Sequence, residues 1–308
     1  MDGRIDAHLH IATPAMIDVT DPVTGSVMRA GGDIVLEDGF VVPTMPHYFT
    51  DANFSAEAIL ATMDQNGVEK AVIQQGQFLD RTQAVCEAVQ KYPERFRGAM
   101  MPDFKDENCA DRLEEFRRRG LTSVKIEMNA LGILVPEFHF GLPIFDRVCA
   151  ASAALGLPVT IDTGPITGPA YRVEDLAVAA SRHPKLTLVI CHLGFPRPAP
   201  YGDPAVYRRW REMIALGQRE NVYFDLAAMP DFFDPEGWPF PTALRLAREF
   251  IDLCGPDKLM WGSDVPGTLD HATYAQQIRM YTESGLFSEH ELQLMFRDTA
   301  EKVYFRPL

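Results

Sequence analysis

The sequence lacks an excess of basic residues. Its 308 residues include 29 Lys and Arg against 43 Asp and Glu, a formal net charge of −14 at pH 7, and no block of Lys or Arg interrupts this balance. An acidic surface repels nucleic-acid phosphates and anionic lipids, so we expect no nucleic-acid partner and no membrane partner. With 46% hydrophobic residues, the composition is that of an ordinary folded protein.

The sequence also lacks paired cysteines, long apolar runs and a leader pattern. Its five cysteines are scattered without Cys-x-x-Cys spacing, which favours reduced core thiols. No apolar run approaches the roughly 18 residues that a membrane helix needs. The polar start from Met1 to Asp6 lacks the charged and apolar regions of a signal peptide. We therefore expect a cytoplasmic protein.

Short β-branched runs alternate with amphipathic helical stretches along the whole chain, which is typical of repeated βα units. The predicted strands are residues 4–10, 70–75, 97–101, 123–128, 158–162, 187–192, 222–225 and 258–261. The predicted helices are residues 56–65, 82–91, 109–119, 142–154, 173–181, 205–218, 242–253 and 272–282, with one more at 288–305. This order favours an α/β fold with a closed (β/α)8 TIM barrel, and no composition shift marks a second domain within residues 1–308.

Residues 11–54 interrupt this regular alternation between the first strand and the first helix. The segment is rich in Gly, Pro and Asp and carries the run from Met45 to Phe49. Loops of this length in compact domains are usually lids, binding loops or disordered segments. Because it follows a strand, it is predicted to lie over the catalytic end of the barrel as a lid or binding loop.

Three strand ends carry side chains suited to a metal site. His8 and His10 lie two residues apart on the first strand, so both project from the same face and can share one divalent cation. His192 follows the sixth strand and Asp264 follows the eighth. In a barrel all of these positions open onto one face, which is where active sites lie.

The motifs at these three strand ends together resemble the amidohydrolase superfamily. They are Ile5-Asp6-Ala7-His8-Leu9-His10, His192-Leu193-Gly194 and Gly262-Ser263-Asp264-Val265-Pro266. The resemblance is closest to the amidohydrolase-related branch, which contains aminocarboxymuconate-semialdehyde decarboxylase, dihydroxybenzoate decarboxylases, and pyrone-dicarboxylate and sugar lactonases. It extends over essentially the whole chain and is specific for the superfamily but weak for the substrate.

The resemblance implies that His8 and His10 are metal ligands and that Asp264 is a ligand or the general base. His192 would be a ligand or a catalytic acid or base. Metal-binding members also place a His at the end of the fifth strand, where this chain has Asp162. A carboxylate there makes the site more anionic and shifts its preference toward harder ions, and loss of the metal is the rival reading. We predict one divalent ion, Zn²⁺ or Mn²⁺, held by His8, His10, Asp162 and Asp264.

Five residues are candidate substrate contacts. Lys125 on the fourth strand is read as a buried or substrate-facing cation, since the branch that the chain resembles is normally mononuclear. Arg197 and Arg172 follow the sixth and fifth strands and could hold a substrate carboxylate with a bidentate fork, although surface positions are the simpler alternative. His47 and Tyr48 in the long loop are predicted to wall the pocket. The expected partner is a small molecule, a carboxylate among the options, and a homo-oligomer stays open.

Three functions compete on these residues. The first is a metal-dependent hydrolase of a small cyclic ester, lactone, amide or related carbonyl compound, using metal-activated water with Asp264 as general base. The second is a nonoxidative carboxy-lyase acting on an aromatic or dienoic acid at the same site. The third is a noncatalytic ligand-binding barrel, against which the intact set of His8, His10, His192 and Asp264 argues.

Overall fold

The main body of the chain is an eight-stranded parallel sheet. The computed structural model describes residues 3–22, 24–49, 51–134 and 138–306. Neighbouring strands pair in chain order. They are β1 (Arg4–Leu9), β2 (Val68–Ile73), β3 (Phe96–Met100), β4 (Ser123–Glu127), β5 (Val159–Asp162), β6 (Leu188–Ile190), β7 (Val222–Asp225) and β8 (Leu259–Met260). The ends of the predicted domain, and positions 23 and 50 of the predicted insertion, lie outside the described residues.

Backbone hydrogen bonds join the last strand region to the first and close the barrel. Ala7 N donates to Trp261 O at 3.0 Å, and His10 N donates to Val265 O at 2.8 Å. Strands such as β7 are buried along their whole length, because helices cover one face and barrel side chains fill the other. The predicted (β/α)8 barrel is confirmed.

Helices surround the barrel. They are α1 (Ala56–Gln65), α2 (Thr82–Lys91), α3 (Leu113–Arg118), α4 (Met128–Leu134), α5 (Pro143–Leu155), α6 (Val173–Arg182), α7 (Pro204–Ile214), α8 (Met229–Phe232), α9 (Pro241–Cys254), α10 (Tyr274–Thr282), α11 (Glu289–Gln293) and α12 (Thr299–Tyr304). The bounds of α1 and α2 match the predictions, and Ser55 caps α1 by accepting a hydrogen bond from Ala58 N. The short helices α4 and α8 were not predicted. Among the described residues, no helix is both long enough and apolar enough to span a membrane.

The predicted last helix is divided into α11, a π-helical turn at Leu294–Asp298 and α12. Tyr304 Oη shares a buried hydrogen bond of 2.7 Å with Thr160 Oγ1 of β5. The Phe305 ring lies against the side chains of Lys70 and Arg97, near the starts of β2 and β3. The end of the chain therefore covers the side of the barrel opposite the carboxyl ends of the strands.

The insertion after β1 contains a small sheet of its own, which was not predicted. Three short antiparallel strands lie at Val27–Met28, Ile34–Val35 and Val41–Val42. Ala12 and Phe54 exchange backbone hydrogen bonds of 3.2 and 2.8 Å, so the two ends of the insertion are held together at its base. Sheet pairing between strands of two residues depends on packing against the barrel, which local sequence does not reveal.

The carboxylate of Asp6 fastens β1 to the loop that follows β8. It is fully buried and accepts hydrogen bonds from His8 N at 3.1 Å and from Ser263 N at 3.0 Å. It also accepts from Ser263 Oγ at 2.6 Å and from Tyr274 Oη at 2.8 Å. Burial raises the pKa of Asp6 to about 6 against the lowering effect of these donors. One side chain thus satisfies four donors at the closing seam of the barrel.

Substituting Asp6→Ala is expected to lower the free energy of unfolding by about 3 kcal/mol or more, because it leaves four donors at the seam without their acceptor. Urea denaturation followed by circular dichroism measures this change. The matched control is Asp64→Ala, which removes an exposed carboxylate of α1 that pairs with Arg95 and is worth about 0–1 kcal/mol. A loss below about 1 kcal/mol for Asp6→Ala would contradict the assigned role.

Candidate active site

His8, His10 and Asp264 meet at the carboxyl ends of β1 and β8. Alternation along β1 places both imidazoles on the inner face. Asp264 N donates to His8 O at 2.8 Å, which ties the loop after β8 directly to β1. A Cβ at Gly262 would lie only 2.8 Å from His8 Cβ, so this close approach needs glycine. The Gly262-Ser263-Asp264 motif therefore positions the carboxylate beside the two histidines.

The tautomer of His8 follows from its partner. His8 Nδ1 lies 2.9 Å from Asp225 Oδ2 in a fully buried contact, and an ionised carboxylate only accepts hydrogen bonds. Burial, helped by the positive charge of Lys125, lowers the pKa of His8 to about 4. The imidazole is therefore neutral at pH 7 with its proton on Nδ1, and the lone pair of Nε2 is available to a cation.

The contact between His10 and Asp264 requires a proton or a metal ion between the two side chains. His10 Nδ1 faces the carbonyl oxygen of Gln74 at 3.1 Å, so Nδ1 carries a proton. Its Nε2 lies 2.9 Å from Asp264 Oδ1, and His8 Nε2 lies 3.6 Å from the same oxygen. A neutral imidazole nitrogen and a carboxylate oxygen at this distance repel each other unless a proton or a metal ion lies between them.

A divalent metal ion fits these donors. One ligand atom each of His8, His10 and Asp264 lies within 4.8 Å of the others. Donors that share a tetrahedral zinc ion at about 2.0–2.2 Å lie about 3.4 Å apart, close to the observed spacings. Side chains of His10 and Asp264 are each 21% exposed, so a ligand can reach them. A second group of donors, His8, Cys191 and His192, is wholly buried.

His192 is held on the other side of the site by two carboxylates. Its N–H donates to Asp225 Oδ1 at 2.8 Å, and its Nε2 lies 3.4 Å from Asp162 Oδ2. Burial by itself would lower the pKa of His192, but Asp162 and the neighbouring acids raise it to about 9. The imidazole is therefore protonated at neutral pH. Its Nδ1 is buried without a hydrogen-bond partner.

The backbone is strained where these side chains are presented. His192, Leu193 and Asp264 adopt positive φ angles of 58°, 52° and 60°. Such conformations are unfavourable for residues other than glycine, and they cluster at functional sites because the surrounding structure must enforce them. In this chain the enforcing contacts include the hydrogen bonds to Asp225 and His8 described above.

Lys125 is buried inside the barrel as the predicted cation. Its Nζ lies 3.1 Å from Cys191 Sγ and 3.4 Å from His8 Nε2. Burial alone would lower the pKa of Lys125, but Cys191 and the carboxylates of Glu127, Asp162 and Asp225 raise it above its usual value. The ammonium group therefore stays charged and balances part of the acidic charge of the site.

Asp225 was missed by the sequence analysis, whereas Asp162 lies at the end of β5 as expected. Asp225 ends β7, and an Asp at the carboxyl end of a barrel strand was the available signal. Asp162 does not belong to either donor group, and instead it faces His192 and accepts a hydrogen bond from Gly164 N at 2.7 Å. Its role as a metal ligand stays a prediction.

A cavity of about 220 Å³ opens beside the metal-binding donors. His10, Asp162 and Asp264 lie in its wall, together with two residues that the sequence analysis did not select, Arg81 and Glu127. The insertion contributes apolar side chains to the wall, and these include Ile34, Val42 and Met45.

None of the five predicted substrate contacts, Lys125 included, is among the described residues that line this cavity. Arg172 pairs with Asp175 on the surface, and Arg197 is 57% exposed with Asp231 at 3.7 Å. His47 is 87% exposed and pairs with Asp270, while Tyr48 is 64% exposed. Their roles in substrate binding stay predictions. Phe232 of α8 approaches the site, with its ring centroid 5.9 Å from that of His192.

The fold and the arrangement of these side chains define a class of protein. A (β/α)8 barrel with His-x-His at the first strand, His at the sixth and Asp at the eighth is the plan of the amidohydrolase barrels. The chain belongs to the amidohydrolase family, since the family model described as Amidohydrolase matches residues 5–306. No curated relative matches the sequence.

Solved structures share the fold at low sequence identity. A probable 2-pyrone-4,6-dicarboxylic acid hydrolase from Acinetobacter baumannii, with citric acid bound, is 17% identical with a TM-score of 0.73, covering 99% of this chain and 100% of that one. An amidohydrolase from Burkholderia multivorans with bound zinc is 20% identical with a TM-score of 0.72 over the same shares. A 5-carboxyvanillate decarboxylase from Sphingomonas paucimobilis is 17% identical with a TM-score of 0.65, covering 99% of each chain.

Substituting Asp162→Asn is expected to lower the pKa of His192 from about 9 toward its ordinary value of 6.5, because the nearest negative charge is removed. Between these two pH values the wild-type imidazole is protonated and that of the variant becomes neutral. Titration of the histidine ring protons by NMR measures the shift.

The same Asp162→Asn protein also tests the ligand set. We expect it to retain its metal ion, because His8, His10 and Asp264 form a donor group without Asp162. Metal analysis of the purified protein measures this, with His10→Ala as the variant that should lose the ion. Loss of metal from Asp162→Asn would instead support the expectation that Asp162 is a ligand.

Proposed function

We propose that the protein is a metal-dependent hydrolase of a small cyclic ester, lactone, amide or related carbonyl compound. The observation that carries the proposal is the convergence of ligand atoms from His8, His10 and Asp264 at the carboxyl ends of the barrel strands. A divalent ion bound there would polarise a carbonyl oxygen and lower the pKa of a water molecule. The proton transfers are assigned to Asp264 and His192.

Asp264 is the proposed general base. Burial alone would raise its pKa, but the hydrogen bond with His10 and the nearby His8 and His192 hold the pKa far below its usual range. The carboxylate is therefore ionised across the neutral pH range. It borders the cavity and can accept the proton of an attacking water molecule as the bond to the carbonyl carbon forms.

His192 is the proposed acid. It is protonated at neutral pH because Asp162 stabilises the imidazolium, so it can hydrogen-bond a carbonyl oxygen or deliver a proton to the leaving oxygen or nitrogen. Asp225 fixes the backbone of His192 and the ring of His8 at once. One buried carboxylate thus positions both the proposed acid and a candidate metal ligand, His8.

A nonoxidative carboxy-lyase is the second candidate. The observation that favours it is the contact of 3.4 Å between His192 Nε2 and Asp162 Oδ2. The carboxylate raises the pKa of His192, and a protonated imidazole can deliver a proton to the carbon that loses carbon dioxide. The decarboxylase from Sphingomonas paucimobilis has the same fold, so the barrel is compatible with this reaction class. Both reactions use the same donor group and the same acid, and they differ in the substrate bond that breaks.

Incubating the purified protein with panels of lactones, cyclic amides and aromatic acids is expected to release acid from a lactone or amide without release of carbon dioxide. A pH-stat measures the proton released when a lactone opens, and mass spectrometry measures the ring-opened product of a cyclic amide, whose new amine takes up the proton. A coupled carboxylase assay measures carbon dioxide. Replacing Asp264→Asn should lower the rate on the identified substrate by about 10²–10⁴-fold, because the general base is lost.

The matched control is Asp252→Asn, which changes an exposed carboxylate that pairs with Arg248 on α9. This variant should retain the wild-type rate. Full activity in Asp264→Asn would refute the assigned base. Carbon dioxide release without hydrolysis would replace the hydrolase proposal by the carboxy-lyase.

A further inference from the structure

Arg81 is a buried guanidinium group without a counter-ion. It lies in the loop between β2 and α2 and is only 5% exposed. Its Nε is buried and has no hydrogen-bond partner, and among the described residues the guanidinium takes part in no ion pair. Its backbone N–H donates to Gln75 Oε1 at 3.0 Å, so the backbone of the residue is anchored while its side-chain Nε has no partner.

Such an arrangement is costly. Arginine carries five N–H donors and stays charged under all ordinary conditions, and a buried charge without partners loses its hydration. Buried arginines in folded proteins are therefore normally paired. A buried arginine that lacks a partner within the protein can form an ion pair with an anionic ligand that enters from the solvent.

The guanidinium group faces the cavity of the candidate active site. Arg81 is the one Lys or Arg among the described residues that line this cavity. Its Nη1 would lie 3.5 Å from a Cβ placed on Gly76, and the Glu127 carboxylate oxygens would lie 3.3 and 3.5 Å from the same point. The absence of a side chain at Gly76 therefore leaves a gap between Arg81 and Glu127, at the cavity wall.

The other charges at the wall define where an anion can bind. Asp162, Asp264 and Glu127 are acidic and would repel an anionic group placed beside them. Burial lowers the pKa of Arg81, while Glu127 and Asp80 raise it without forming an ion pair. Apart from a bound metal ion, the guanidinium is thus the attractive point for an anion in this cavity.

We propose that Arg81 binds the carboxylate, or a comparable planar oxyanion, of the small molecule that occupies the cavity. Because the cavity borders His10 and Asp264, the proposal rests on the proposed function for the identity of the reacting group, and it narrows the substrate to carbonyl compounds that also carry a negative charge. Arg81 is a substrate-binding residue in this view and takes no part in proton transfer.

The test compares a carboxylate probe with its uncharged analogue. Isothermal titration calorimetry measures the Kd of benzoate and of benzamide for the full-length protein as purified, with the metal content of each sample determined. Wild type is expected to bind benzoate more tightly than benzamide. Replacing Arg81→Gln should weaken benzoate binding at least about tenfold and leave benzamide binding unchanged, because one charge-assisted contact is lost.

Two further variants support the comparison. Arg81→Lys keeps the charge without the planar fork and should give an intermediate Kd for benzoate, and it serves if Arg81→Gln does not fold. Arg118→Gln changes an exposed arginine on α3 and should behave as wild type. The melting temperature of ligand-free Arg81→Gln should equal or exceed that of wild type, since an unpaired buried charge is removed.

Three results would overturn the proposal. They are equal binding of benzoate and benzamide by wild type, an unchanged Kd for benzoate in the Arg81 variants at equal metal content, and an equal loss of benzamide binding, which would indicate a structural role. None of these measurements requires turnover. The proposed hydrolase activity can therefore fail while anion binding at Arg81 holds, and the reverse outcome is equally distinguishable.

Discussion

The buried carboxylate of Asp225 is the contact on which the geometry of the site depends. Its Oδ2 accepts a hydrogen bond from His8 Nδ1, and its Oδ1 accepts from the backbone of His192 and of Ala227. Burial would raise the pKa of Asp225, but His8 and His192 lower it to about 2, so the group stays ionised. It thereby sets the tautomer of one histidine and the position of another, across β1, β6 and β7. Without this carboxylate neither the tautomer of His8 nor the backbone position of His192 would be fixed.

Asp225 can stay ionised because the site balances its charges. Three acids, Asp162, Asp225 and Asp264, lie around buried Lys125 and protonated His192. In a medium that excludes water each of these charges would be costly alone, and each is stabilised by the others. The balance also separates the protonation states of the two histidines, since His8 lies beside Lys125 and is neutral while His192 lies beside Asp162 and is charged. Neighbouring imidazoles thus acquire different chemistry from their surroundings.

The sequence predicted the barrel and the residues at its strand ends because both depend on local pattern. β-Branched runs, helical periodicity and the His8 and His10 spacing are visible within short windows. Arg81 could not be selected in that way, because its burial without a hydrogen-bond partner at Nε is a tertiary property. The strand-end position of Asp225 was visible, but its bond to His8 joins residues 217 positions apart. The contact between Asp162 and His192 and the small sheet in the insertion likewise depend on tertiary packing. The sequence analysis selected Arg172 and Arg197, which follow the fifth and sixth strands. Sequence alone does not distinguish such exposed loop arginines from a buried arginine without a partner.

The insertion lines the same cavity as the charged residues of the site. Its apolar residues Ile34, Val42 and Met45 share that cavity with Asp264 and Arg81. An apolar wall lowers the local dielectric, so the attraction between an anionic substrate and Arg81 is stronger there than it would be in open water. The overall charge of −14 does not oppose such binding, because charges beyond about 10 Å are largely screened by salt while those at the cavity wall are not. An acidic protein can therefore bind the anionic small molecule proposed above, provided that the insertion keeps water away from buried Arg81.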